Sequence, residues 1–240
     1  MTSTIAVIGK SGSGKTTVIR ALLKLLQRNF KDKTILLLDN DLTLELSDSF
    51  GIKTRNTIYG IKSGKHEYKT GIPEGMTKQE YIDWALEDIV LNIDENTDII
   101  ASWFVTPKDC HCPSTKLTRD SVTKLIERYD FVIIDCEYDL KYLNSLTDCL
   151  IDEALIISNP NKEAICLASK IADSSRKYVS NGQMGVIINK FEGDNEPLDL
   201  LNALELDLIG CIKKYDILDL NEISNTLEIL YSRMNLPQKG

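Results

Sequence analysis

The sequence predicts a doubly wound α/β domain, with a mainly parallel sheet flanked by helices, on three observations. Apolar runs of strand length recur down the chain, each followed by a helical pattern. The runs are unbroken rather than alternating, as expected of strands covered on both faces. With 240 residues and a 42% apolar fraction, the chain can bury one sizeable core without splitting, so residues 1–240 are expected to form a single domain.

The first run, 4–8, leads into a glycine-rich loop and then a helical stripe of Ile19, Leu22, Leu23, Leu26 and Phe30. A second run, 34–38, ends in acidic residues. The stretch 51–76, rich in Gly and Lys, is too long for a plain connection and reads as a functional loop. Ile82, Ala85, Leu86, Ile89 and Val90 make the next helical stripe, before the strand run 98–105. Further strand runs cover 131–134, 154–158, 184–189 and 208–212. The last helical pattern, 220–234, begins acidic and lacks the basic face of a membrane-surface helix.

A formal net charge of -8 without clustered Lys or Arg argues against a nucleic-acid partner. The absence of a long apolar run or signal-peptide layout argues against a membrane one, so the chain is expected to be cytoplasmic. In that compartment the six cysteines read as reduced thiols, and only Cys110 and Cys112 have a spacing that singles them out.

Chemistry concentrates in Gly9-Lys10-Ser11-Gly12-Ser13-Gly14-Lys15-Thr16, which fits G-x-x-x-x-G-K-[ST] between a strand and a helix. In such a P-loop, backbone N–H groups surround phosphates, the glycines allow the turn and the helix N-terminus adds its dipole. Gly12, Ser13, Gly14, Thr16 and Thr17 are therefore the expected ATP-cradling residues. Lys15 is expected at the β- and γ-phosphates, with the Thr16 hydroxyl on Mg²⁺. A second acid-ended strand, Phe131-Val132-Ile133-Ile134-Asp135, has the Walker B form, in which the acid holds Mg²⁺ through water.

Lys10, ahead of Lys15, makes the loop resemble the deviant Walker A motif of the dimeric ATPases that include the septum-site, partition and nitrogenase iron proteins. Ser11 replaces the usual first glycine. The resemblance implies an ATP-dependent homodimer in which Lys10 reaches across a two-fold interface to the partner's nucleotide. It also implies that Asp41 orients the attacking water, that Asp39 supports the Mg²⁺ shell, and that 44–51 is the first switch. Asn189 and Lys190, closing the 184–188 run, would lie against the base, with Tyr215 and Asp216 along its other edge. The second switch departs from the family, since Cys136-Glu137-Tyr138-Asp139 stands where a glycine soon follows the acid.

The loop Thr106-Pro107-Lys108-Asp109-Cys110-His111-Cys112-Pro113 offers two thiolates, half of a closed four-ligand site. Two chains meeting there would supply four, suited to Zn²⁺, Ni²⁺ or an iron–sulfur cluster. His111 is a possible further ligand, or a spacer. With the Lys10 loop, the Asp41 switch and Asp135-Cys136-Glu137, this pair makes the chain similar to the CooC-type nickel-insertion ATPases. That similarity implies a metallochaperone whose client is carbon monoxide dehydrogenase. An electron-transfer protein of the nitrogenase iron-protein kind and a partition or septum-site positioning ATPase stand as alternatives. Cys136, Cys149, Cys166 and Cys211 read as core or incidental thiols.

Overall fold

The protein is described by a computed structural model covering residues 2–41, 43–54, 56–62, 72–102, 113–137, 140–149, 151–180 and 183–214, with 220, 221, 223, 224, 227 and 228 beyond. The strands are β1 (Ser3–Ile8), β2 (Ile35–Asn40), β3 (Leu91–Asp94), β4 (Thr97–Ala101), β5 (Phe131–Cys136), β6 (Glu153–Ser158), β7 (Met184–Phe191) and β8 (Leu208–Lys213). The α-helices are α1 (Lys15–Asn29), α2 (Glu45–Ser49), α3 (Ile58–Lys62), α4 (Lys78–Ile89), α5 (Pro113–Ile126), α6 (Lys162–Ser175) and α7 (Glu196–Ala203). Short 3₁₀ turns occupy Leu140–Ser145 and Arg176–Tyr178.

The eight strands among the described residues form one sheet in the order β3-β4-β2-β5-β1-β6-β7-β8. Every pairing is parallel except β3 with β4, so the fold is a single α/β domain of the expected class. Alternate residues of the central strands serve opposite cores. Ile5 and Val7 of β1 pack with Val18, Ile19 and Leu22 of α1, whereas Ala6 and Ile8 join the cluster built from α4, α5 and α6. Burial on both faces is why these strands read as unbroken apolar runs.

The antiparallel β3 is an addition to the expected elements. Leu91-Asn92-Ile93-Asp94 alternates half-buried and exposed, the pattern of an edge strand, and turns back at Glu95-Asn96 into β4. The strand expected over 98–105 is ordered as Thr97–Ala101, and 103–105 lie outside the described residues. Inside the expected loop 51–76, the backbone forms the short α3. Helix α4 starts with a capping box, Thr77 accepting from the Glu80 N–H while the Glu80 carboxylate accepts from the Thr77 N–H.

Candidate functional site

Parallel pairing of β5 with β1 and β2 sets Asp135 level with both Val7 and Asp39. The carboxyl ends of three adjacent strands therefore deliver the glycine-rich loop, the Asp39–Asp41 pair and Asp135 to one place, where ligands bind in open α/β sheets.

The loop turns through Gly12 (φ 77°) and Gly14 (φ 100°), both in the left-handed region that excludes most side chains. Gly14 also caps α1 without a side-chain hydrogen bond, so no side chain competes for the helix's first N–H groups. A Cβ on Gly14 would clash with Nδ2 of Asn189. That Nδ2 donates to the Ser13 carbonyl at 2.7 Å, and Nζ of Lys190 donates to the Gly12 carbonyl at 3.0 Å. Lys10 is exposed, and its carbonyl accepts from the Ser13 N–H at 3.0 Å.

The three carboxylates differ sharply in how they are satisfied. Asp39, fully buried, accepts from the Ser47 N–H at 2.9 Å and the Ser47 hydroxyl at 2.7 Å, so α2 is fastened to the end of β2. Burial raises its pKa, a rise the Ser47 bonds oppose. Asp41 accepts from the Thr43 N–H at 3.0 Å and hydroxyl at 2.9 Å, and its Oδ2 lies 3.4 Å from Nζ of Lys15. Burial alone would raise Asp41, but the Thr43 donors and the Lys15 charge hold it below the usual carboxylate range.

Asp135 is the exception. It is 1% exposed, yet neither carboxylate oxygen has a hydrogen-bond partner among the described residues. Burial pushes its pKa up to about 7; Lys15 pulls against that rise, and Asp39, Asp41 and Glu45 add to it. A buried carboxylate without donors, beside a phosphate loop, fits Mg²⁺, which takes one or two protein carboxylates and completes its shell with water and phosphate. Among the described residues there is no group of three or more His, Cys, Asp and Glu that could hold a metal by themselves.

A cleft of about 490 Å³ opens against this centre. Its walls include Gly12, Gly14, Lys15, Thr16, Thr17, Asn189 and Lys190, all singled out by the sequence. Glu45 falls inside the expected first switch, whereas Lys213 and Lys214 are lining residues that sequence reasoning missed. Lys213-Lys214 directly follows a strand run, and that position was the available signal. Tyr215, Asp216, Cys110, His111, Cys112, Tyr138 and Asp139 lie outside the described residues. Cys136 is buried in β5, and Cys149, Cys166 and Cys211 are half-buried free thiols.

The CobQ/CobB/MinD/ParA nucleotide binding domain matches residues 4–229. Two proteins of Methanocaldococcus jannaschii, each described as an uncharacterized ATP-binding protein, are similar over most of their length. One is 28% identical over 211 residues, covering 86% of this chain and 82% of the relative. The other is 25% identical over 220 residues, covering 87% and 84%. Among solved structures, a plasmid partition protein from Borrelia burgdorferi has a TM-score of 0.69 at 22% identity, covering 98% of this chain and 100% of that one. The septum site-determining protein MinD from Pyrococcus horikoshii, complexed with Mg-ADP, has a TM-score of 0.63 at 21% identity, covering 95% and 89%. At these identities the structural likeness speaks to the fold. No helix among the described residues is long and apolar enough to cross a membrane.

Proposed function

This chain belongs to the CobQ/CobB/MinD/ParA nucleotide-binding family of P-loop ATPases, and from that premise we propose that it works as an ATP-switched dimer of the partition and septum-site kind. ATP joins two copies, the joined form engages a protein partner, and hydrolysis separates them. The observation that carries this reading is the buried, donor-free carboxylate of Asp135 beside the Lys15–Asp41 ion pair.

Lys15 and Asp41 neutralise one another at 3.4 Å, longer than the 2.7–2.9 Å of a strong charge-assisted bond. An incoming triphosphate offers Lys15 more negative charge than Asp41 does. Lys15 then turns to the β- and γ-phosphates, and Asp41 becomes free to orient a water in line with the γ-phosphorus. As the water oxygen bonds to phosphorus, the bridging oxygen leaves with ADP and the water's proton passes to solvent or phosphate. Thr16 and Asp135 would hold Mg²⁺, which would supply positive charge to offset the negative charge of the phosphates. Asp39, occupied by Ser47, acts by holding α2 and its Glu45 against the cleft. Lys10, exposed on the loop, is the residue available to a partner's phosphate.

Light scattering with a non-hydrolysable ATP analogue tests the switch. The wild-type mass should double, whereas Lys10→Ala should keep most of its Mg·ATP affinity and remain monomeric. If Lys10→Ala dimerises as the wild type does, the trans-acting role is wrong.

A second reading is favoured by one specific observation, the Cys110-His111-Cys112 spacing. If the joined form brings two such loops together, four thiolates make a Ni²⁺ or Zn²⁺ site on the two-fold axis, and the ATPase serves metal delivery to a client such as carbon monoxide dehydrogenase. Symmetry then demands one metal per dimer, lost in either Cys→Ser variant. One metal per monomer, retained in the double Cys→Ser variant, rules out this reading and leaves the partner-binding switch.

A further inference from the structure

Two consecutive residues at the end of β7, Asn189 and Lys190, both touch the phosphate loop. In a regular strand neighbouring side chains point to opposite faces. Here they converge because Lys190 adopts φ 59°, a left-handed backbone that only a few per cent of non-glycine residues take up. The conformation is held by the Lys190 N–H, which donates to Oδ1 of Asn189 at 2.9 Å. Each side chain then takes one carbonyl of the loop. Nδ2 of Asn189 donates to Ser13 at 2.7 Å, and Nζ of Lys190 donates to Gly12 at 3.0 Å. The partners fix the amide's orientation, since a flipped Asn189 would set oxygen against the Ser13 oxygen and nitrogen against the Lys190 N–H.

We propose that Asn189 and Lys190 form a brace that sets the direction of the loop's peptide groups, and so govern affinity for the phosphate chain. The peptide unit is planar and trans, so fixing a carbonyl on one side sends the next residue's N–H to the other. With the Ser13 carbonyl held by Asn189, the Gly14 N–H points away from Asn189. With the Gly12 carbonyl held by Lys190, the Ser13 N–H is placed to close the turn onto the Lys10 carbonyl at 3.0 Å. An unbraced carbonyl would be free to rotate toward the phosphates and set oxygen against oxygen. Gly14 belongs to the same device, because a Cβ there would displace Asn189 from its bond. Asn189 is buried, and its oxygen and one of its N–H groups are committed to backbone partners. These are positioning residues. The inference rests on the nucleotide assignment alone and is indifferent to which partner or cargo the ATPase serves.

The test compares Mg·ATP with inorganic tripolyphosphate, which has the phosphate chain and no base, by titration calorimetry on the full chain. Asn189→Asp keeps the side chain's shape but cannot donate to Ser13. It should weaken both ligands by about tenfold or more and leave the ratio of the two affinities within about twofold of wild type. Weakened ATP binding with unchanged tripolyphosphate binding would overturn the proposal in favour of base recognition. Lys190 is exposed, so its variants should fold even where Asn189→Asp does not, and they separate hydrogen bonding from charge. Lys190→Met should lose affinity for both ligands, while Lys190→Gln, a neutral donor, and Lys190→Arg should recover most of it. If Gln behaves like Met and the deficit disappears at high salt, Lys190 acts only through its charge and the brace is refuted. Wild-type affinity in Lys190→Met would refute it as well.

Discussion

At the amino ends of the strands the sheet uses aspartates as fasteners, and at the carboxyl ends it leaves one of them without a partner. Asp130, just before β5, takes Lys33 at 2.8 Å on one oxygen and the Thr34 N–H and hydroxyl at 3.0 and 3.2 Å on the other. Asp152, just before β6, accepts from the Thr4 N–H at 2.7 Å and hydroxyl at 2.9 Å, and from the Ser180 hydroxyl at 3.2 Å. Asp135, at the other end of β5 from Asp130, is more deeply buried than either and accepts nothing from the described residues. A buried carboxylate with no donor costs stability, so its persistence marks the end of the sheet that awaits a ligand. The lesson concerns satisfaction rather than burial or residue type, because Asp39 is as buried as Asp135 and yet is engaged by Ser47.

Substitutions at the two ends should separate function from stability, and the largest effect is expected at Lys15. Lys15→Ala removes the charge that meets the phosphates and should cost about 3 kcal/mol or more of ATP affinity, roughly a hundredfold. Undiminished affinity would dissolve the contrast. Next comes Asp41→Ala, which should bind ATP, hydrolyse it about 100-fold more slowly and accumulate the dimer, since water positioning acts on the transition state. Equal loss of binding and turnover would move Asp41 from catalysis to ground-state binding. At the amino ends, Asp152→Ala should lower stability by about 2 kcal/mol in denaturant unfolding and leave ATP affinity unchanged. A change in affinity there would mean that the two ends communicate.

The smallest effect is in pH. Asp135 must lose its proton to hold Mg²⁺, so the free protein's Mg·ATP affinity should fall below pH of about 7, by at most tenfold per pH unit for one proton. Stability runs the other way. The folded pKa lies above the ordinary carboxylate value of 3.8, so this group's contribution is complete below about pH 4 and is lost as pH rises through about 7. Asp135→Asn should flatten both dependences. Unchanged pH profiles in that variant would place the titration elsewhere.

Much of this was legible in the sequence because the strongest signals are local. Gly12, Gly14, Lys15 and Thr16 sit in one loop whose spacing is dictated by the phosphates, and the central strands are apolar because both faces are covered. What escaped depends on contacts between distant segments. Asp39 and Asp135 look equivalent as acids at strand ends, and only Ser47 on α2 tells them apart. The short β3 was hidden because four half-exposed residues carry too little apolar signal to register beside α4. Asn189 was expected beside the base, and its bond to Ser13 spans a separation of 176 residues that no local pattern encodes.

That short β3 also shapes how the chain behaves in company. It ends the sheet with four residues whose exposed positions are Asn92 and Asp94, and Gln27 of α1 ties Asp94 down at 2.7 Å. A long parallel strand left at this edge would present a row of open N–H and C=O groups to any other unfinished sheet. Here the row is brief and bordered by a negative charge. During refolding at high concentration, strands of neighbouring molecules therefore find little purchase on this side, and the yield of soluble protein should drop when Asn92 and Asp94 are both replaced by Val.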